Sequence, residues 1–286
     1  MPFAAIVGAG ELGAAIAARL AARDVIPEVR LIDTASQAAA GKALDIQQSG
    51  AIEGFRTRVV SDGSVHAAAG ARVVVLADSS TGQKEWQGDE GLGLLRQIWT
   101  IVERETATIV CAGALQRLLI ERAVTELRVE PRRICGSAPG ALESAARALT
   151  ALEVDGSPDD VRLNVIGIPP RGIVIPWSAA TVRGVSAVQA IAPHRLTAIT
   201  SHLAALWPPG PYALASSATR VVEALFHGSR RSHGCFVVLD GPLGSRGRVA
   251  ALPVTLTDLG VGEIVSPSLT THERVALETA VEKQPL

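Results

Sequence analysis

The sequence contains few of the residues that are typical of secreted, metal-binding or nucleic-acid-binding proteins. Its three cysteines, Cys111, Cys135 and Cys235, form neither a metal-binding spacing nor an even set for disulfides. Aromatic residues make up 3% of the chain, which leaves little for stacking on bases. The formal net charge of −1 gives no electrostatic reason for nucleic-acid binding. We therefore expect no metal site, no nucleic-acid partner and a reducing compartment.

Long apolar runs and an export leader are also missing from the sequence. No run approaches the roughly 20 apolar residues that a membrane helix needs, although hydrophobic residues make up 48% of the chain. Met1-Pro2-Phe3 leads directly into an apolar segment, without the basic leader and apolar core of an export signal. These features predict a cytoplasmic protein with no membrane partner, and 286 residues allow one or two domains.

A glycine-rich turn follows the first predicted strand. Apolar residues 3–7 precede Gly8-Ala9-Gly10-Glu11-Leu12-Gly13, and an alanine-rich helix is predicted over residues 14–22. In this motif Gly8 allows the tight turn, Gly10 lets the backbone approach a pyrophosphate, and Gly13 lets the helix pack on the strand. The alternative is that the glycines serve close packing alone.

Asp33 makes the dinucleotide interpretation more specific. It ends the next predicted strand, twenty residues after Gly13, where a carboxylate can accept hydrogen bonds from an adenosine ribose. Its charge would repel the additional phosphate of NADP, so the sequence predicts NAD in preference to NADP. The expected cofactor-binding residues are Gly8, Gly10, Glu11, Leu12, Gly13 and Asp33.

Strands and helices alternate in the first half of the chain, which is typical of an α/β protein with a doubly wound parallel sheet. We predict strands at residues 58–61, 71–77 and 108–111, and helices at residues 38–48, 92–105 and 115–127. The pattern changes near residues 133–139. Beyond them we predict helices at 141–152 and 213–227, a terminal helix from about residue 270, and extended segments at 162–168, 235–239 and 249–255.

Several motifs in one order resemble the NAD-linked lactate and malate dehydrogenases, closest to the bacterial malate type. They are Leu31-Ile32-Asp33, Gly41-Lys42-Ala43-Leu44-Asp45, Gly136-Ser137-Ala138, Leu142-Glu143-Ser144-Ala145, Leu239-Asp240-Gly241-Pro242-Leu243-Gly244 and Gly260-Val261-Gly262-Glu263-Ile264. The resemblance implies an oxidoreductase fold with a Rossmann domain at residues 1–136 and an α+β substrate domain at residues 137–286. It also implies a homodimer or homotetramer.

The same resemblance predicts that the residues of the family's reaction are missing. The family's base is a histidine, which can titrate near neutral pH, and Pro169 stands at its position. The arginine that clamps the substrate carboxylate with two parallel hydrogen bonds aligns with Ala146, and the asparagine near the nicotinamide aligns with Ala112. The predicted mobile loop after residue 77 has one basic residue, Lys84, and four acids, Asp78, Glu85, Asp89 and Glu90. We expect such a loop to repel a dicarboxylate substrate.

Three residues are candidates for a reaction that does not use the family's catalytic residues. Glu143 aligns with the aspartate that orients the family's histidine, and Lys84 lies in the predicted mobile loop. Arg171 lies two residues past Pro169, where it could face the pocket in which the family binds its substrate. Two hypotheses follow. One is an NAD-binding relative without ordinary malate or lactate oxidation. The other is an active NAD-dependent oxidoreductase that uses Lys84 or Glu143 on a neutral or cationic substrate.

Overall fold

The computed structural model describes residues 1–82, 84–239 and 247–282. Its first half alternates strands and helices, as the sequence predicts. The strands are β1 (Ala4–Val7), β2 (Glu28–Ile32), β3 (Arg58–Asp62), β4 (Val73–Leu76), β5 (Thr108–Cys111) and β6 (Ile134–Gly136). The helices are α1 (Glu11–Arg23), α2 (Ser36–Glu53), α3 (Gly88–Ile101) and α4 (Arg117–Glu126).

These strands lie parallel in the order β3-β2-β1-β4-β5-β6. The chain first adds strands on one side of β1 and later adds β4 on the other side, so the strand order reverses between β1 and β4. Ligands of doubly wound sheets bind at that reversal, beyond the carboxyl ends of the strands. The ends of β1 at Val7 and of β4 at Leu76 therefore indicate where the site should lie.

The second half mixes short strands with helices. The helices are α5 (Ala138–Glu153), α6 (Ala187–Ala190), α7 (Pro193–Ala205), α8 (Pro211–His227) and α9 (Thr271–Glu282). The strands are β7 (Val161–Arg162), β8 (Ile166–Ile168), β9 (Gly172–Val174), β10 (Thr181–Val182), β11 (Val185–Ser186), β12 (Ser232–Val238), β13 (Val249–Thr257) and β14 (Gly260–Ile264). The motif residues 240–244 lie outside the described residues.

The two halves share one sheet. β12 pairs antiparallel with β6 through Phe236 and Gly136, and the sheet continues through β13 and β8 to β9. β11, β10 and β7 form a separate small sheet. A Rossmann sheet followed by an α+β part confirms the predicted fold class. The division into domains 1–136 and 137–286 stays a prediction, since β6 ends at Gly136 but remains paired with β12.

One predicted strand is two strands in the structure. The sequence predicts a single extended segment over residues 162–168, whereas β7 ends at Arg162 and β8 begins at Ile166. β7 pairs with β10 and β8 pairs with β13, so the chain passes from one sheet to the other between them. Among the described residues, no helix combines the length and the apolar character that crossing a membrane requires.

Candidate functional site

The glycine-rich turn joins β1 to α1 at the predicted position. Gly8 has a φ of +106°, a left-handed conformation that residues with a Cβ rarely adopt. A Cβ on Gly13 would overlap the carbonyl oxygen of Gly8, so glycine is needed for α1 to pack this closely on the turn. The tight turn and the close packing therefore match the prediction from the sequence.

A carboxylate from the same chain binds the amides at the start of α1. Asp78, which follows β4, accepts hydrogen bonds from the amide of Gly13 at 2.8 Å and from the amide of Leu12 at 3.1 Å. Its carbonyl oxygen accepts from the amide of Gly10 at 2.9 Å. Amides at a helix N-terminus favour anions, and here Asp78 supplies the anion. The sequence pattern identified Asp78 only as one acid of the loop.

The Asp33 carboxylate is also engaged by the backbone. Its oxygens accept hydrogen bonds from the amides of Ala9 at 2.8 Å, Ser80 at 2.9 Å and Ala35 at 3.0 Å, and the residue is 5% exposed. Burial by itself would raise the pKa of Asp33, but these hydrogen bonds hold it below its usual value. Asp33 is therefore ionised at neutral pH and fixed between the glycine-rich turn and the loop after β4.

Lys42 links α2 to the glycine-rich turn. Its Nζ donates to the carbonyl oxygens of Ala9 at 2.5 Å and Gly10 at 3.2 Å. These contacts place a positive charge beside the glycine-rich turn. Lys42 belongs to one of the motifs that carry the family resemblance, but its role in supporting the turn depends on the folded position of α2.

A second carboxylate lies at the end of β5. Glu85 accepts hydrogen bonds from the amides of Ala114 at 3.0 Å and Leu115 at 2.8 Å, in the turn that leads into α4. Any Cβ on Gly113 would overlap the Glu85 carboxylate. Burial, together with the negative charge of Asp78, raises the pKa of Glu85 above its usual value, although both amide hydrogen bonds lower it.

The two carboxylates belong to one short segment, residues 78–82 and 84–87, which we call the strap. Asp78 and Glu85 face each other as an antiparallel bridge, and the amide of Ser79 donates to the carbonyl oxygen of Lys84 at 3.2 Å. The strap thus folds back on itself across the carboxyl ends of β4 and β5. One of its acids lies on the glycine-rich turn and the other on the turn before α4.

Glu143 lies on α5, away from the strap contacts. Its Oε2 is shielded from solvent and has no hydrogen-bond partner among the described residues. Burial raises the pKa of Glu143 to about 7, and the Asn164 side chain, the charge of Arg147 and the Val165 amide lower it only in part. A carboxyl group with this pKa can exchange a proton near neutral pH.

Two neighbouring clefts meet at Glu143 and Arg147. One, of about 510 Å³, extends toward Arg162 and Asn164, and the other, of about 410 Å³, lies between α5, α8 and the start of β12. The Arg147 guanidinium donates to the carbonyl oxygen of Pro158 at 2.8 and 3.1 Å and lies 3.4 Å from an Asp159 carboxylate oxygen. Arg147 is therefore held by its guanidinium against the short helical turn at Pro158–Asp160, which follows α5.

The structure does not bring the three candidate residues together. Lys84 is exposed on the strap, and Arg171 is exposed in the turn between β8 and β9. Neither forms a hydrogen bond or ion pair with Glu143 among the described residues. Within residues 1–82, 84–239 and 247–282, no group of His, Cys, Asp and Glu is arranged to hold a metal ion.

The sheet order, the glycine-rich turn and the acid at the end of β2 define a Rossmann protein of the dinucleotide-binding class. Residues 4–120 match the family model of the lactate/malate dehydrogenase NAD-binding domain. The malate dehydrogenase of Thermomicrobium roseum is 31% identical over 290 residues, which cover 95% of this chain and 92% of that protein. The chain belongs to the lactate/malate dehydrogenase family.

Solved structures support the same assignment at the level of the fold. The malate dehydrogenase from Salinibacter ruber has a TM-score of 0.83 and 25% identity, and the match covers 97% of this chain and 93% of that one. The lactate dehydrogenase from Cryptosporidium parvum, in complex with lactic acid and nicotinamide adenine dinucleotide, has a TM-score of 0.87 and 21% identity, with 99% and 95% covered. At that identity the second match shows the fold alone.

Proposed function

We propose that this protein binds NAD and does not catalyse ordinary malate or lactate oxidation. The observation that carries the proposal is the residue at the position of the family's histidine, Pro169, which is buried at the end of β8. Proline has no side-chain proton to transfer. Removing one proton carrier or oriented charge typically costs several kcal/mol of transition-state stabilisation, and several such groups are changed here.

The packing around α5 supports the loss of the substrate clamp. Ala146, at the position of the family's arginine, is fully buried in the smaller hydrophobic core beside Leu142. A guanidinium there would have to displace that core. Arg147 follows it in sequence, but its side chain is bound to Pro158 and Asp159. Neither position therefore offers a free guanidinium to a substrate carboxylate.

The carboxyl ends of β4 and β5 support the same proposal. Ala112, at the position of the family's asparagine, is fully buried and has no side-chain hydrogen-bonding group. The strap places the Glu85 carboxylate on the turn that follows Ala112, where a dicarboxylate would be repelled. These substitutions act on binding, orientation and proton transfer together.

We propose NAD rather than NADP as the dinucleotide, without a metal ion. The ionised Asp33 carboxylate at the end of β2 supports this choice, because a 2′-phosphate beside it would be repelled. The other proposed contacts are Gly8, Gly10, Glu11, Leu12 and Gly13. From the family resemblance we further propose a cytoplasmic homodimer or homotetramer.

Two measurements on the purified protein test this function. Calorimetric titration is expected to show NADH binding that is tighter than NADPH binding, and Asp33→Asn should reduce the difference between the two. Steady-state assays with malate, lactate, oxaloacetate and pyruvate are expected to show no turnover. Equal affinity for both dinucleotides would contradict the cofactor proposal, and malate or lactate turnover would contradict the functional one.

One observation favours a second candidate function, an oxidoreductase that acts on a neutral or cationic substrate. Glu143 borders both clefts, its Oε2 has no partner among the described residues, and its pKa is raised to about 7. It could act as a general acid or base there. Lys84 and Arg171 are exposed and have less structural support for such a role.

A substrate screen separates this candidate from the first. For any hydroxy or keto compound that is turned over, Glu143→Gln is expected to lower kcat about 100-fold or more if Glu143 transfers the proton. Arg171→Ala serves as the control and should retain turnover. Absence of NADH oxidation across neutral and cationic substrates would eliminate the second candidate.

A further inference from the structure

Two carboxylates of the strap bind two sets of backbone amides, one at the start of α1 and one before α4. Asp78 binds the amides of Leu12 and Gly13 at the start of α1, and Glu85 binds those of Ala114 and Leu115 before α4. In the dinucleotide interpretation, the first set is the part of the glycine-rich turn that a pyrophosphate would contact. Asp78 of the strap therefore occupies the Leu12 and Gly13 amides that a bound dinucleotide would need.

The contact over Gly10 is too close to leave room for a phosphate. The Oδ1 atom of Asp78 lies 2.6 Å from the point where a Cβ on Gly10 would stand, and the rest of the carboxylate lies closer. In the motif, the missing Cβ of the second glycine provides the space for the pyrophosphate. Here that space holds Asp78, so the side chain and a pyrophosphate cannot occupy the turn together.

The second contact has the same steric character. A Cβ added at Gly113 would lie 2.5 Å from Cδ of Glu85. The Glu85 carboxylate thus fills the space that the glycine leaves open. The strap bridge joins Glu85 to Asp78, and the two acids are thereby held in place together. Asp78 and Ser79 are 7% and 6% exposed, so this end of the strap is buried against the glycine-rich turn.

We propose that the strap is an internal competitor of the dinucleotide, with Asp78 occupying the pyrophosphate position and Glu85 holding the strap closed. Binding of a dinucleotide requires the Asp78 side chain to leave the glycine-rich turn. The inference rests on the proposed function, since NAD is the ligand with which the strap competes. It adds that the wild-type affinity is limited by this chain's own residues.

The outer part of the strap allows such a displacement at little cost in buried surface. Thr81, Gly82 and Lys84 are exposed, and the end of the strap at Asp78 buries polar atoms rather than large apolar side chains. Trp86 is partly buried against the main core and anchors the far end. The Asp78 side chain can therefore exchange its amide partners for water while Trp86 stays packed against the core.

Two variants open the strap by different means. Asp78→Asn replaces an acceptor oxygen with an NH₂ group that faces a backbone amide, and Gly113→Ala expels Glu85 without changing any charge. Each is expected to raise the affinity for NADH about tenfold or more, because charge-assisted hydrogen bonds no longer compete. Asp89→Asn removes an acid whose side chain is 95% exposed and is the charge control. Gly93→Ala, with no atom near its Cβ position, is the steric control.

Two measurements are made on the full chain. Calorimetry with NADH gives the affinities, and amide hydrogen exchange without nucleotide reports whether Leu12 and Gly13 lose protection in Asp78→Asn. The inference predicts tighter NADH binding and faster exchange in the opened variants, with both controls at wild-type values. Unchanged affinity or unchanged exchange overturns it, as does the absence of NADH binding in every variant. Malate or lactate turnover by the wild type would instead contradict the proposed function and leave the affinity ratios interpretable.

Discussion

At the scale of single residues, the glycines decide which groups can reach the backbone amides. Gly10 and Gly113 each leave a space over the chain that a carboxylate fills, from Asp78 and Glu85 respectively. Gly13 instead leaves space for the carbonyl oxygen of Gly8, within the turn itself. The first two glycines therefore affect ligand access, while Gly13 affects the stability of the fold.

Gly13→Ala should destabilise the protein. The added methyl group would overlap the Gly8 carbonyl oxygen and push α1 away from the turn, which we expect to cost about 2 kcal/mol of the free energy of unfolding. Urea unfolding measures this loss. Gly93→Ala, inside α3 with open space around it, should be neutral or stabilising by up to about 1 kcal/mol. Equal stability of the two variants would contradict this account of the turn.

Glu143 should make the stability depend on pH. The folded protein holds its proton up to a pKa of about 7, whereas the unfolded chain releases it near 4.5. The folded state thus binds more protons between these values, so the free energy of unfolding should fall by about 3 kcal/mol as pH rises through this window. This stabilisation by protonated Glu143 is fully present below the unfolded-state pKa of 4.5 and is lost above the folded-state pKa of about 7.

Unfolding in urea at pH 5 and pH 8 measures this effect. Glu143→Gln cannot ionise and should lose less stability between the two pH values than the wild type. Glu90→Gln, an exposed acid on α3, is the matched control and should behave like the wild type. An identical change with pH in all three proteins would mean that Glu143 does not titrate as its burial indicates.

At the scale of elements, α4 is attached to β13 by a buried ion pair. Arg117 Nη1 lies 3.1 Å from Glu121 Oε2, and both groups also bond to the backbone of Val249. Glu121 is 5% exposed, and burial lowers the pKa of Arg117 while the charge of Glu121 raises it. The pair connects a helix of the Rossmann half to a strand of the second half.

Glu121→Ala should therefore be strongly destabilising. It leaves the Arg117 charge buried with reduced compensation, which we expect to cost about 3 kcal/mol of unfolding free energy. Glu126→Ala removes an acid of the same helix whose side chain is 45% exposed and pairs with Arg122, and should cost less than about 1 kcal/mol. Comparable losses in thermal unfolding experiments would show that the buried pair does not join the two halves.

The elements themselves were predictable where the signal is local. The apolar runs at β1 and β4 and the spacing of the glycines act within a few residues, and both appear in the structure. The split between β7 and β8 was not predictable, because it depends on pairing with β10 and β13, which lie far along the chain. α3 also begins at Gly88, before the predicted residue 92, with Asp89 and Glu90 in its first turn, where acids are favourable.

At the scale of the whole molecule, the family, the fold and the residues of the glycine-rich turn could be predicted from the sequence. The role of the strap could not. Asp78, Glu85 and Gly113 are separated in sequence, and only the folded positions of β4 and β5 place their atoms in contact. A count of acids in the loop predicted repulsion of a substrate but did not predict that these acids occupy the chain's own amides.

We propose that this family member lacks ordinary malate and lactate chemistry even when a dinucleotide is bound. A single-turnover experiment tests this proposal. The wild type and Asp78→Asn, at concentrations above that of NADH, are mixed with oxaloacetate or pyruvate, and NADH absorbance is followed. We predict no loss of NADH in either protein beyond the rate without enzyme. Rapid oxidation of the bound NADH, especially in Asp78→Asn, would contradict the account and show that the substrate half of the site is active.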